Sequence, residues 1–200
     1  KKIDTGTEQL ICEIYENFAV VTLNSPEQKN PLGDEVTPAL RKLISRLETN
    51  AEVKSIVITG SGEAFCSGGN IKEMASPVKE SFTEGQAIKR LVKRQNELTL
   101  RLFNLKKPTI AMIPGPAAGA GFCLALACDI RVASENAFFT TGYRNVGLPG
   151  DYGGTWLLTK LIGPALAKQF YFTSEKISAK TALNLGIINH LTSVFDLEKI

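Results

Sequence analysis

Residues 115–129 read GPAAGAGFCLALACD, one proline after the apolar run TIAMI at 109–113 and directly before IRVAS at 130–134. An apolar run of five, a glycine-rich turn, a stretch of small residues and another apolar run spell strand, turn, helix, strand. The small side chains predict a helix that ends near Cys128 and packs close to its neighbours. A helical crossover between two buried strands makes those strands parallel, which decides for an α/β class.

The same alternation continues outward from this centre. Towards the N-terminus, residues 11–23 hold ICEIY and FAVVTL around the polar pair Glu16-Asn17, which predicts a hairpin. After the turn-like NSPEQKNPLGD at 24–34, residues 35–47 place Val36, Leu40, Leu43, Ile44 and Leu47 at helical spacing, and residues 54–59 follow as a buried strand. Residues 76–104 are charged and polar, with Ile88, Leu91, Leu98, Leu102 and Phe103 spaced as for an amphipathic helix, and SPVKESFTEG at 76–85 reads as a mobile loop. Towards the C-terminus, Phe138-Phe139 precedes a loop, and residues 156–161 begin another helix. Largely parallel strands covered by helices are the expectation, with ligands gathering at loops beyond the strand ends. No repeat or linker divides residues 1–200, so one domain is expected.

Composition narrows the function classes. With 44% hydrophobic and 22% charged residues and a net charge of +3, the chain has no electrostatic signature for nucleic acid or an anionic membrane. Cys12, Cys66, Cys123 and Cys128 form no CxxC pair and His190 has no ligand-like neighbour, so neither a metal site nor a disulfide is expected. No signal-like or membrane-spanning run is present in the sequence, which leads us to expect a cytoplasmic protein.

Two glycine-rich loops follow apolar strands: AFCSGGNIKEM at 64–74 and the segment at 115–129. Neither has the Lys-Ser/Thr ending of a P-loop or the glycine spacing of a dinucleotide fingerprint. Glycine count alone supports only tight strand-to-helix turns. Small residues there also let a backbone N–H approach a ligand, and two such groups converging from different loops would form an oxyanion hole.

The motifs tip this balance, because together they resemble the crotonase (enoyl-CoA hydratase/isomerase) superfamily. FCSGGNIKEM is similar to the family's F-[AS]-x-G-x-D-[IL] segment. GPAAGAGFCLALACDIRVASENAFF resembles its second loop, helix and strand, GLPGDYGGTWLLTKLIG the segment that follows, and SAKTALNLGIINHL its later A-x-x-[AW]-G-[LI]-[VI] element. The likeness runs in order over essentially all 200 residues. It implies a spiral of repeated ββα units and assembly as a homotrimer or dimer of trimers. Relatives continue with further helices where this chain stops, soon after Leu191, so the C-terminal helical region is expected to be incomplete here.

The resemblance also implies roles. The two oxyanion N–H groups fall on Gly69 and Ala120, and the family's aspartate position holds Asn70, read as a turn residue. The two glutamates of hydratases are replaced by Cys123 and Tyr143, neither of which serves as a base near neutral pH without a large shift. Asp151 matches the acid of single-acid isomerases with a GL-x-x-D-x-GGTW segment, including the ring-opening type that acts on epoxidised phenylacetyl-CoA. On residue type alone Asp151 reads instead as an N-cap for the next helix. Phe122, Tyr143, Tyr152 and Trp156 are expected to enclose it. For the coenzyme A part of an acyl-CoA substrate, Lys29 and the segment Ala64, Cys66 and Ser67 are the candidates, with Cys123 lining the pocket. Cys66 and Cys123 equally fit as small buried hydrophobes. No separate cofactor is implied. Asp129 reads as structural, and His190 as packed or solvent-facing.

An acyl-CoA isomerase is thus the leading expectation. The same site would also suit weak hydration, or attack by Asp151 as a nucleophile as in aryl-CoA dehalogenases. A fold-retaining binding protein without chemistry is the alternative of another class.

Overall fold

The computed structural model describes residues 1–75 and 82–199. Its larger sheet has seven strands: β1 (Lys2–Ile3), β2 (Leu10–Tyr15), β3 (Phe18–Leu23), β4 (Ser55–Gly60), β5 (Thr109–Ile113), β7 (Ile130–Ser134) and β10 (His190–Thr192), hydrogen-bonded in that order. Strand β2 turns back on β3 through Glu16, whose φ of 47° fits a tight turn, so that Tyr15 faces Phe18. From β3 onward every pairing in this sheet is parallel. A smaller sheet contains β6 (Ala117–Ala118), β8 (Phe138–Thr140) and β9 (Ile177–Ser178). Single bridges between Cys66 and Ala117 and between Leu32 and Gly69 extend the same layer.

The helices are α1 (Val36–Thr49), α2 (Ile71–Met74), α3 (Glu84–Gln95), α4 (Arg101–Phe103), α5 (Ala120–Leu126), α6 (Gly154–Thr173) and α7 (Ala179–Asn184). Each turn of the spiral therefore has a long strand in the first sheet, a short strand or bridge in the second, and then a helix. This is the expected ββα repetition, and it occurs with β3, β4, β5 and β7 as the long strands.

The core lies between the larger sheet and its helices. Helix α1 buries Val36, Leu40, Leu43, Ile44 and Leu47, as its spacing predicts. The expected amphipathic helix at 76–104 is divided. Its first part, 76–81, lies outside the described residues. Thr83 caps α3 with its side chain, Ile88 and Leu91 stay exposed, and a π-helical turn at Asn96–Leu100 precedes α4, re-aiming the chain so that Leu98 and Leu102 are buried. Asp129 is structural: its carboxylate accepts from the N–H and hydroxyl of Thr109, each at 2.8 Å, joining the end of α5 to β5. His190 is exposed on β10. Among the described residues no helix is long and apolar enough to cross a membrane, and no group of His, Cys, Asp and Glu is placed to hold a metal.

Candidate active site

The loops after β3, β4, β6 and β8 open on one side of the smaller sheet and enclose a cleft of about 490 Å³. Gly69, Ala120 and Asp151, three residues far apart in sequence, all line it. Two glycines explain how closely the loops approach. A Cβ on Gly68 would stand 2.8 Å from the Ala118 carbonyl oxygen and 3.6 Å from the Ala120 nitrogen. A Cβ on Gly121 would lie 2.6 Å from both the Sγ and the carbonyl oxygen of Cys66. Gly68 also has φ +97°, which a side chain would oppose.

The amides are oriented by the local pairing. Leu32 donates to the Gly68 carbonyl at 2.7 Å and accepts from the Asn70 N–H at 3.1 Å, so in this parallel bridge the Gly69 N–H points away from Leu32. Ala120 is the first residue of α5, where an N–H has no acceptor within the helix. Asn70 accepts from the Glu73 N–H and starts α2, the turn role expected of it.

Asp151 sits in a contorted turn in which Gly150, Tyr152 and Gly153 all have positive φ. Tyr152, at φ 48°, is an aromatic residue in a left-handed conformation, which carries strain of about 1–2 kcal/mol. The cap of α6 is Gly153, so the expectation that Asp151 caps that helix does not hold. Its carboxylate instead accepts from the Tyr143 hydroxyl at 2.5 Å. Behind this pair, Cys123 Sγ lies 3.3 Å from the Tyr143 oxygen and 3.6 Å from the Asp151 carbonyl, and the Tyr171 ring stacks on Tyr143 with centroids 5.9 Å apart.

This surround sets the electrostatics. Burial pushes the Asp151 carboxyl above the usual carboxylate range, and the Tyr143 hydrogen bond opposes that in part. Burial first, and the Asp151 carboxylate to which it donates, push the Tyr143 phenol up, which keeps it a donor. Burial pushes the Cys123 thiol to about 12, so it is neutral.

Several expected contacts fall elsewhere. Phe122 packs on Phe139 in the core, with centroids 5.2 Å apart, and does not enclose Asp151. Trp156 is half exposed, stands edge-on to Phe103 and lines a neighbouring depression, with Tyr152 bordering both that depression and the cleft. Cys66, Cys123 and Tyr143 are buried, Tyr143 against Asp151, and none of the three is among the residues that line this cleft. Cys66 is walled in by α5, and burial raises its thiol to about 12. Ala64 is buried too, its carbonyl accepting from Asn30 Nδ2 at 2.8 Å. Lys29 and Ser67 are exposed side by side: the Ser67 N–H donates to the Lys29 carbonyl at 2.8 Å, which ties the turn at 26–29 to the first glycine-rich loop.

The sequence reading missed Tyr171 and Arg41. Tyr171 lies within an apolar helix, and only the space left by Gly150 and Gly154, whose Cβ atoms would meet it at 2.9 and 2.5 Å, marks its place. Arg41 occupies the polar face of α1, a position that reads as solvated surface, yet it borders the cleft.

Comparison with known proteins agrees with this architecture. The family described as Enoyl-CoA hydratase/isomerase matches residues 13–199. The chain is 37% identical over 190 residues to a short-chain-enoyl-CoA hydratase of Clostridium acetobutylicum, covering 94% of this chain and 70% of that protein. It is 32% identical over 182 residues to the 1,2-epoxyphenylacetyl-CoA isomerase of Escherichia coli, covering 90% and 68%. A crystal structure of an enoyl-CoA hydratase from Polaromonas superposes with a TM-score of 0.85 at 35% identity, covering 95% of this chain and 73% of the other. With its motifs in order on a ββα spiral and its family match running nearly end to end, the chain belongs to the enoyl-CoA hydratase/isomerase family of the crotonase superfamily.

Proposed function

We propose that this protein binds an acyl-CoA thioester and shifts a proton between its carbons, as an isomerase. One observation carries the reading: the cleft brings two loop amides, Gly69 and Ala120, together with one half-buried carboxylate, Asp151. The thioester oxygen would accept from both N–H groups. Asp151, ionised, removes a proton from the carbon α or γ to the carbonyl, and the electron pair moves onto the oxygen as an enolate. The protonated Asp151 then returns the proton at the other carbon. One donor of such a pair typically contributes about 2.7–4 kcal/mol to the transition state. A carboxyl held above its usual range is a better base and a competent acid near neutral pH.

The positions at which two-glutamate hydratases carry their acids hold Cys123 and Tyr143, both buried and neutral, which favours isomerisation. Conversion of a 3-enoyl-CoA to its conjugated 2-enoyl isomer, followed by ultraviolet absorbance, tests the reading. Asp151→Asn should lower the rate by about 10²–10⁴-fold; a variant as fast as the native protein would refute it. The similarity to a named hydratase favours a second reading, in which Asp151 alone activates water. It predicts ¹⁸O from labelled water in a 3-hydroxyacyl product, which isomerisation does not give.

A further inference from the structure

The cleft has a second charged region. Arg41 of α1 and Arg90 and Arg94 of α3 border it, on the same cavity as Gly69, Ala120 and Asp151. Arg41 is fixed in place by its Nε, which donates to the Arg94 carbonyl at 3.0 Å, and it lines the cavity together with Tyr152, one residue from Asp151. It is half-buried, as is Arg94. Among the described residues neither of these two guanidinium groups lies within 4.0 Å of a carboxylate.

Three carboxylates share the cavity, and two of them accept hydrogen bonds from its own walls. Asp151 accepts from Tyr143. Glu73 is held by the loops after β3 and β4, with one oxygen accepting from the Asp34 N–H at 2.6 Å and the other from Asn70 Nδ2 at 2.8 Å. Asp34 lines the loop after β3 beside Glu73. Arg41 and Arg94, with no carboxylate within 4.0 Å among the described residues, are therefore positioned for an anion from outside the protein. Guanidinium groups are suited to this because their planar donors match a carboxylate, and a partly desolvated pair is stronger than one in water.

We propose that the acyl group carries a second anionic group, a carboxylate remote from the thioester, and that Arg41 and Arg94 hold it. This rests on the acyl-CoA reading above and names its substrate class. Arg41 lines the same cavity as Tyr152 and the proposed base Asp151, so the anion it meets is assigned to the acyl chain. The phosphates of coenzyme A are the other source of anionic oxygen, and the test separates the two.

Isothermal titration of the native protein with glutaryl-CoA, valeryl-CoA and free coenzyme A compares acyl chains of equal length with and without the distal carboxylate. The proposal predicts that glutaryl-CoA binds at least about tenfold tighter than valeryl-CoA, equivalent to about 1.4 kcal/mol. Arg41→Met, which keeps much of the apolar stem, should reduce that ratio towards one. Arg94→Met should reduce it too; that variant keeps the carbonyl used by Arg41, so it serves if Arg41→Met fails to fold. Equal affinities of the two esters for the native protein would overturn the proposal alone. If the variants weaken glutaryl-CoA, valeryl-CoA and free coenzyme A by one common factor, the arginines hold phosphate and the proposal falls. Absence of binding by all three would overturn the acyl-CoA reading and this inference with it.

Discussion

At the scale of single residues, the Asp151 carboxyl is subject to opposing influences: burial disfavours its charge, while the Tyr143 hydroxyl at 2.5 Å favours it. Tyr143→Phe removes the second influence and leaves the first, so the carboxyl should shift further upward. The acid limb of the kcat/KM profile should then move to higher pH, an effect that a purely structural role for Tyr143 would not produce. A linked effect concerns stability. Because the folded pKa of Asp151 lies above its unfolded value, its contribution is fully present below the unfolded value and is lost as pH rises through the folded one. Asp151→Asn keeps an acceptor for Tyr143 and removes that loss. Its melting temperature should match or exceed the native one near neutral pH, and the difference should vanish below the ordinary carboxylate range; a lower melting temperature at neutral pH would contradict this. Asp151 stood out in the sequence because GLPGDYGGTW matched a motif. The motifs also marked Tyr143 and Cys123, but Tyr171 did not stand out, since whether it faces this pair or the core depends on its stacking on Tyr143, 28 residues away, which no local pattern encodes.

At the scale of elements, α5 is seven residues long and lies where its first turn must nearly touch the loop after β4. Gly121→Ala places a methyl group against Cys66 and should destabilise the fold by about 1–3 kcal/mol, read from a urea transition. The same variant should lower kcat/KM, since Ala120 is displaced with its neighbour. Gly85→Ala in α3 meets nothing within 4 Å and should raise stability by about 0.4–1 kcal/mol. Elements with a strong period were legible: α1 and the β2–β3 hairpin follow from apolar spacing and one polar pair. The two-residue strands β6 and β9 were not, because only their hydrogen-bonded partners make them strands. The break in α6 at Gly163 (φ 78°, ψ 166°) was likewise unanticipated, although Gly163-Pro164 is a visible signal for it.

At the scale of the whole molecule, successive ββα turns set each functional loop at the end of a different strand, and the cleft exists only where these turns stack. Ties between turns should therefore matter for stability. Asp129→Ala removes the carboxylate that takes the Thr109 N–H and hydroxyl, and should lower unfolding free energy by about 1.5–3 kcal/mol in a denaturant titration. The α/β class and parallel strands were readable from the alternation of apolar runs, whereas the arrangement of loops around one cavity depends on the sheet order and required the structure. The central claim is that this cavity moves a proton on a thioester through Asp151. Its most direct test is hydrogen–deuterium exchange at the α and γ carbons of saturated and unsaturated acyl-CoAs in D₂O, comparing the native protein with Asp151→Asn. The account predicts exchange that disappears in the variant while CoA-ester binding persists; no exchange in the native protein, or equal exchange in both, would contradict it.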